Sequence, residues 1–562
     1  MAPEFHPQGH ATRPAAHRGP VAAALLATLF FSCGGGSGGG YQPPPGPSQE
    51  GEEGPNGPSP LEVPGTTYYA NAVTGDDHNH GLTPSSPLRT LAAAANKLSP
   101  AGGDRLCLQG TFQESLFLSG INNPVIGDPN PALPTVIQCA FDAAGKALPA
   151  AIDGGISGAA SFPFDKQGLP PGFGPGTGDY LWVGVDLADC NYVSLSGFEV
   201  RGIAGMGIQT RGSSHLLVEH MTTEWTSLSA MSFGSQAAGP MVEDLTVAHN
   251  RINQSNLGLW NNAALSQGFS MVTETVSIAN MNGFEVFRNH VSNSMMVGID
   301  IKERTNNGSV RNNLVENLRS IGIYANEATD ARIYQNIIRR IGYYDPEDGS
   351  GVQFAGPYLS QKLPFTVEAD AATGVLVANG DLGAAPETGR CSRIRVYENI
   401  VSWTLKNGIS VNNEWRYEGK SGWEMDEIHI YNNVIHRSAQ SSGAGGVVLD
   451  IGMTNSTVVN NIIDSSRQYG VFIIGTGNFF TSNAISNNLY NLNAMYGVLG
   501  MNARHGDPLF LQRPPVVLSS FDFRLDHGSP GINAGVLESS VVDIGAYQSN
   551  GVNWTAGPRT GN

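Results

Sequence analysis

Residues 298–318 read GIDIKERTNNGSVRNNLVENL, and residues 322–341 read GIYANEATDARIYQNIIRRI. Each opens on a Gly, runs through a short strand of alternating character, breaks at a polar turn and runs a second strand to an Asn. A third copy, GVVLDIGMTNSTVVNNIIDSS, occupies residues 446–466. Gly298 to Gly322 is 24 residues, and so is Gly446 to Gly470. A period in the low twenties, with short strands and inward Val and Ile, predicts a β-solenoid whose stacked coils share one continuous core. Leucine-rich repeats would need a regular Leu consensus where these coils carry Ile, Val and Asn. The unit recurs from about Cys190 to Leu492. The recurring Asn (Asn312, Asn336, Asn399, Asn432 and Asn460) falls at a turn, where its amide can bond a neighbouring backbone and the Asn of the next coil. That role is architectural.

Composition agrees with a solenoid. Of 562 residues, 71 are Gly and 34 are Pro, and only 14% are charged, too few for a helical bundle or coiled coil. The 40% hydrophobic content is ample for a core. A net charge of −17 argues against a nucleic-acid partner, whose footprint would be basic.

Arg13, His17 and Arg18 precede an apolar run from Val21 to Phe31, too short to span a bilayer and suited to a signal-peptide core. The run ends at Ser32-Cys33, a junction that resembles a bacterial lipobox. That resemblance implies lipidation of Cys33, an anchored cell-envelope or secreted protein, and a signal peptide over residues 1–33; an ordinary signal peptide is the alternative. GGGSGGG at residues 34–40 and the Pro/Gly/Glu-rich stretch after it cannot bury a core, so residues 34–65 are expected to be a tether. Cys107, Cys139, Cys190 and Cys391 form no CxxC pair and have no His at zinc spacing, which predicts buried free thiols.

These coils resemble right-handed parallel β-helix proteins, the fold of pectate and alginate lyases and of many bacterial surface proteins. YYANAVTGDDHNHGLTPSSPLRTLAAAANKL from Tyr68, followed by GDRLCLQGTFQES, is similar to the opening of secreted β-helix proteins. There a short helix, here about Leu88 to Leu98, caps the solenoid end and shields its core and strand edges. DPLFL, FDFRLDHGSPGINAG and DIGAYQ resemble a C-terminal module of the choice-of-anchor type. The expected organisation is an all-β, right-handed parallel β-helix (single-stranded, pectin-lyase-like) over residues 66–500, the module over 501–550 and a tail over 551–562, in a monomer.

Side chains alternate between the faces of a strand, so Ile299 and Ile301 point inward while Asp300 and Lys302 point out. The same register turns out Gln209, Arg211, Tyr324, Asn326, Gln353, Ser410, Asn412 and Asp450, with Leu259 and Asn261 filling one further coil. Glu303, Arg304, Glu327 and Glu414 follow just beyond the strands. Extra residues at about 263–282, 357–390 and 414–425 could wall a groove beside this sheet, and Trp260, Trp403, Trp415 and Trp423 lie near them. The columns could engage a polysaccharide, with Tyr324, Asn326, Gln353, Asn412, Asp450 and Trp415 as substrate contacts. The plainer possibilities are cross-strand ion pairs that keep the sheet soluble, and tryptophans packed within loops.

β-Elimination of a uronate needs a cation on the sugar carboxylate and a base for the ring proton. Lys302 could be that base if Arg304, Arg211 or a bound calcium ion (Ca2+) lowers its pKa, and Asp300, Glu303 and Glu327 are hard oxygen ligands for the calcium. The resemblance implies the same division of roles, and with it a lyase acting on an acidic glycan. Hydrolysis by a carboxylate pair, Asp300 with Glu327 or Glu303, is the alternative chemistry. A non-catalytic glycan-binding scaffold or adhesin is the alternative class.

Overall fold

The computed structural model describes residues 58–121, 134–156, 180–235, 239–257, 274–342, 372–379, 391–412, 425–439, 445–449, 453–466 and 469–473, with short pieces at 484–486, 489–490, 504–505, 508, 510–512, 522–525, 529–530, 535–537 and 540–542. Over these residues the chain winds into a right-handed parallel β-helix. Each coil lays one strand on each of three faces. The first face carries eleven parallel strands among the described residues, from Leu116–Ser119 to Tyr469–Ile473, with Ile299–Lys302 and Ile323–Asn326 near its middle. The second includes Met281–Phe287, Asn306–Arg311, Thr329–Tyr334, Arg395–Tyr397 and His429–Tyr431. The third includes His290–Ser294, Leu314–Leu318, Ile337–Ile341, Ile400–Thr404, Val434–His436 and Ile462–Asp464.

Register holds on all three faces: Ile299 sits beside Ile323, Val310 beside Ile333 and Val315 beside Ile338. The repeat thus stacks like on like, and the inward Val, Ile and Leu merge into one core running from Ala70 to Val471. A β-branched residue fits this pleated stack, and truncating one to Ala costs about 2–5 kcal/mol.

The turn between the second and third faces explains the Asn repeat, with a correction. Asn336 and Asn399 stack as expected, but Asn312, Asn432 and Asn460 have φ of 54°, 54° and 58°. They stand at a left-handed corner that Asn tolerates better than most residues. The following residue turns into the core, so the rungs of the ladder are Asn250, Asn289, Asn313, Asn336, Asn399, Asn433 and Asn461. The Nδ2 of Asn313 donates to Asn336 Oδ1 (3.0 Å), and that of Asn336 donates to Asn399 Oδ1 (3.0 Å).

The N-terminal cap is present but shorter than expected. The helix spans Leu91–Ala95, with the Thr90 hydroxyl accepting from the Ala93 N–H (3.1 Å) and Glu114 accepting from the Leu91 N–H (2.8 Å). Leu88 lies outside it because its backbone bridges to the strand Thr67–Asn71. The end of the stretch expected to be a tether is already packed on the solenoid: the Leu61 N–H donates to Gln138 Oε1 (3.0 Å) and the Gly65 N–H to Gly103 O (2.8 Å). Cys107, Cys139, Cys190 and Cys391 are buried free thiols, as expected. Burial pushes all four upward, Cys139 to about 11.

Parallel pairing continues to Arg504–His505, and two short antiparallel hairpins follow, Phe510–Gln512 with Asp522–Leu525 and Gly535–Leu537 with Ser540–Val542. The expected signal segment with Cys33, most of the expected tether, Leu259, Trp260, Asn261, Gln353, Glu414, Trp415, Trp423, Asp450 and residues 551–562 lie outside the described residues.

Candidate functional site

The outward positions of the first face form two columns. One runs Asp186, Gln209, Ser232, Ser277, Asp300, Tyr324, Leu376, Ser410. The other includes Arg211, Ala279, Lys302, Asn326, Ala378 and Asn412. Two coils differ from the sequence reading. Val276–Ala279 takes the place expected of Leu259 and Asn261, and Val375–Ala378 takes the place expected of Gln353. In the second case a Gly precedes either candidate strand, Gly351 or Gly374, and among the described residues Val375–Ala378 is paired in register with Ile323–Asn326.

At the centre, Asp300 is 1% exposed and Asn326 4%. Buried charge in a chain this poor in charge is expensive unless paired. Lys302 provides the pairing: its Nζ donates to Glu274 Oε2 at 2.9 Å and lies 3.9 Å from Asp300 Oδ2. Burial by itself would lower the lysine pKa, but Glu274, Asp300 and Glu303 outweigh it and hold the ammonium above the ordinary lysine range. The expected lowering by an arginine is not what the geometry arranges. Arg304 donates to Gly239 O (2.8 Å), and Arg211 pairs with Asp186 at 2.7 Å. Three strand spacings, roughly 14 Å, separate Arg211 from Lys302 along the column.

Glu303 and Glu327 occupy successive corners beyond the strands, with φ of 53° and 57°. Their backbones link coil to coil: the Glu303 N–H donates to Asn326 O (3.2 Å) and the Glu327 N–H to Ala378 O (2.9 Å). At the next corner Asn379 is fully buried, and among the described residues neither atom of its amide has a hydrogen-bond partner. Tyr324 packs with Val297, Ile321, Leu376 and Ala378 in an apolar patch beside this polar cluster. Asn412 is buried further along the same column as Asn326.

Asp300, Glu303 and Glu327, expected as calcium ligands, do not form a cage. Among the described residues no three His, Cys, Asp or Glu side chains are grouped to hold a metal ion. Asp300 lies instead beside the Lys302 ammonium, which already supplies positive charge to it. Glu274 is the member of the centre that the sequence reading missed. Its signal was indirect: the strand after it turns out only Ser277 and Ala279, leaving room for a long side chain to reach Lys302.

The family model described as the right handed beta helix region matches residues 183–358. No curated protein matches the chain in sequence. Among solved structures, a pectate lyase is similar over 86% of this chain and 97% of its own, at 13% identity and a TM-score of 0.42. A rhamnogalacturonan lyase is similar over 80% of this chain and 91% of its own, at 12% identity and 0.41. A lacto-N-biosidase from Eubacterium ramulus is similar over 75% of this chain and 68% of its own, at 13% identity and 0.39. These are likenesses of fold.

Proposed function

We propose that this is a cell-envelope protein that cleaves a polysaccharide along the outer face of its first sheet, by carboxylate chemistry centred on Asp300. The observation that carries the reading is the Lys302 ammonium, 2.9 Å from Glu274 and 3.9 Å from Asp300. An ammonium held by carboxylates is a poor base, but it keeps a neighbouring carboxylate ionised and oriented. Asp300 in that state serves as nucleophile or as base for water, with Glu327 or Glu303 at the adjoining corners as the proton donor. Three carboxylates, Glu274, Asp300 and Glu303, act on this one lysine. The local charge is therefore negative, which favours a neutral glycan over a polyuronate. Asn326, Asn412 and Tyr324 would contact its hydroxyls.

Elimination is the second reading. It requires Lys302 to lose its proton, and so requires something such as calcium to draw Glu274 and Asp300 away from it.

The test is to incubate the purified protein with neutral and acidic polysaccharides, with calcium or with chelator, following both reducing ends and the ultraviolet absorbance of an unsaturated product. Reducing ends without absorbance, falling about a hundredfold or more in Asp300→Asn, are expected. Calcium-dependent absorbance lost in Lys302→Ala would replace hydrolysis by elimination. Binding without either product would make the sheet a glycan-binding scaffold.

A further inference from the structure

The N-terminal end of the first sheet carries a group that the Asp300 centre does not use. Leu116–Ser119 is the first strand of that sheet, and it pairs in register with Val183–Ala188. Leu116 and Leu118 turn into the core, so Phe117 turns out, and it is 60% exposed. Among the described residues no other exposed large hydrophobic side chain lies in a strand of this sheet. Phe117 sits beside Asp186, and Asp186 beside Gln209. Arg211 joins them from the neighbouring column: its Nε donates to Asp186 Oδ1 (3.2 Å) and its Nη2 to Asp186 Oδ2 (2.7 Å). Asp186 is buried, while the Arg211 side chain is 60% exposed. The carboxylate thus fixes the guanidinium through two of its five N–H donors, and the exposed remainder is oriented outward for a ligand.

Between this group and Lys302 the surface is low. Ser232 and Gly234 occupy the outward positions of one strand, and Ser277 and Ala279 those of the next, in register with Asp300 and Lys302. A Cβ at Gly234 would stand 1.9 Å from Ala279 O, so the close approach of the two strands excludes any larger residue there. The two charged rows are therefore joined by a floor of small, hydroxyl-bearing or bare positions. From Phe117 to Asp300 the column crosses five strand spacings, about 24 Å, the length of about five pyranose units.

We propose that Phe117, Asp186, Gln209 and Arg211 form a distal subsite that holds one neutral pyranose of a polysaccharide, about five units from the residue at Asp300. The inference rests on the reading of this sheet as the glycan face and adds to it a second point of attachment. The C–H bonds on the apolar face of a pyranose carry partial positive charge and pack on the negative face of the Phe117 ring. Arg211 and Gln209 bond the hydroxyls at its rim. Because Asp186 neutralises Arg211, the subsite suits uncharged sugar. A ligand that occupies both ends must be a chain, so the protein recognises polymer in preference to free sugars.

The experiment is affinity electrophoresis of the whole protein through gels containing xylan, galactomannan or pectic galactan, with a sugar-free gel as reference. Retardation by at least one of these glycans is expected. Phe117→Ala should weaken affinity for that glycan about tenfold or more, whereas Phe117→Trp, which keeps a ring face, should retain it. Phe117 is exposed, so thermal melts of Phe117→Ala should match wild type and exclude loss of fold as the cause. Hydrogen exchange with an oligosaccharide of the retarding glycan should show protection over residues 116–119 and 183–211. Affinity unchanged in Phe117→Ala, or no retardation of wild type by any of the three glycans, overturns the proposal. Reducing ends are followed separately. Their absence from wild type, with Phe117-dependent binding intact, removes the cleavage reading and leaves the subsite standing.

Discussion

Replacing Asn336 by Ala removes one rung of the buried ladder. Its Nδ2 donates to Val310 O (2.9 Å), Tyr334 O (3.0 Å) and Asn399 Oδ1 (3.0 Å), while its Oδ1 accepts from the N–H and the Nδ2 of Asn313 (3.0 Å each). Nδ2 has only two protons, so these amount to four full hydrogen bonds, at about 1 kcal/mol net each. With the Asn313 N–H left buried and unpaired as part of that loss, the total is about 3–5 kcal/mol. Asn312→Gly, one rung below, is the matched comparison. At φ 54° Gly is at home, and Asn312 gives up the bond from its Nδ2 to Gln335 Oε1 (3.2 Å) and the long one its Oδ1 accepts from Arg311 Nη1 (3.4 Å), so about 1 kcal/mol is expected. Native-state hydrogen exchange over peptides spanning residues 306–341 reads the difference locally. Asn336→Ala should speed exchange there by two to three orders of magnitude, about 1.4 kcal/mol per tenfold, and Asn312→Gly by less than tenfold. A cost below about 1 kcal/mol for Asn336→Ala, or one no larger than that of Asn312→Gly, would refute the view that the second Asn of each pair carries the ladder.

Lys302→Met should destabilise by about 3–5 kcal/mol, because Glu274 and Asp300 would lose their counter-charge while buried, and Glu274→Leu added to it should restore part of the loss in thermal melts. Because the folded pKa of Lys302 lies above its unfolded value of 10.5, its contribution is complete below pH 10.5 and disappears as pH rises beyond it, so alkaline melts of wild type should lose an increment absent from Lys302→Met. Glu316 behaves oppositely: burial alone would raise it, but the bond from His290 and the charges of Arg339 and Arg340 depress it from 4.5 to about 2. Its roughly 3 kcal/mol is therefore present above pH 4.5 and lost between pH 4.5 and 2, and Glu316→Gln should flatten that part of an acid-denaturation curve. Cys33→Ala should move the protein from the membrane pellet to the soluble fraction and abolish incorporation of labelled palmitate; unchanged membrane attachment would rule out the lipid anchor.

The fold was legible because its determinants are local and repeated. Gly298 and Gly322 mark the start of a strand, Ile299/Ile301 against Asp300/Lys302 declare the faces, and twenty-odd residues later the statement is made again. Where the pattern is ambiguous, reading failed. Gly351-Val-Gln and Gly374-Val-Leu present the same local signal, and only long-range pairing with Ile323–Asn326 selects the second. Asn312 and Asn313 differ by one residue and by everything in role, since the left-handed corner turns one away from the core and the other into it. The columns of the candidate site followed from pleat parity, and Asp300, Lys302 and Asn326 are neighbours as expected. The charge state of Lys302 did not follow, because it depends on Glu274, 28 residues earlier in the chain and brought in by coil stacking.

The ladder corner also governs where this architecture can change length. From Ser196 and Glu199 to Val459 and Ile462, the second-face and third-face strands are always separated by two residues, the left-handed one and the one that follows it. An insertion there would pull an amide out of line with the rungs on either side. The corners flanking the first sheet have no such constraint, and the chain between successive strands of that sheet varies widely, from the 17 residues separating Ala188 and Met206 to the 63 separating Ser119 and Val183. Lineages of such a solenoid can therefore exchange whole segments beside the first sheet, altering what that surface recognises, while the coils beneath stay in step. For engineering, the same asymmetry marks the first-sheet corners as the places to graft new loops and the ladder corner as the place to leave alone.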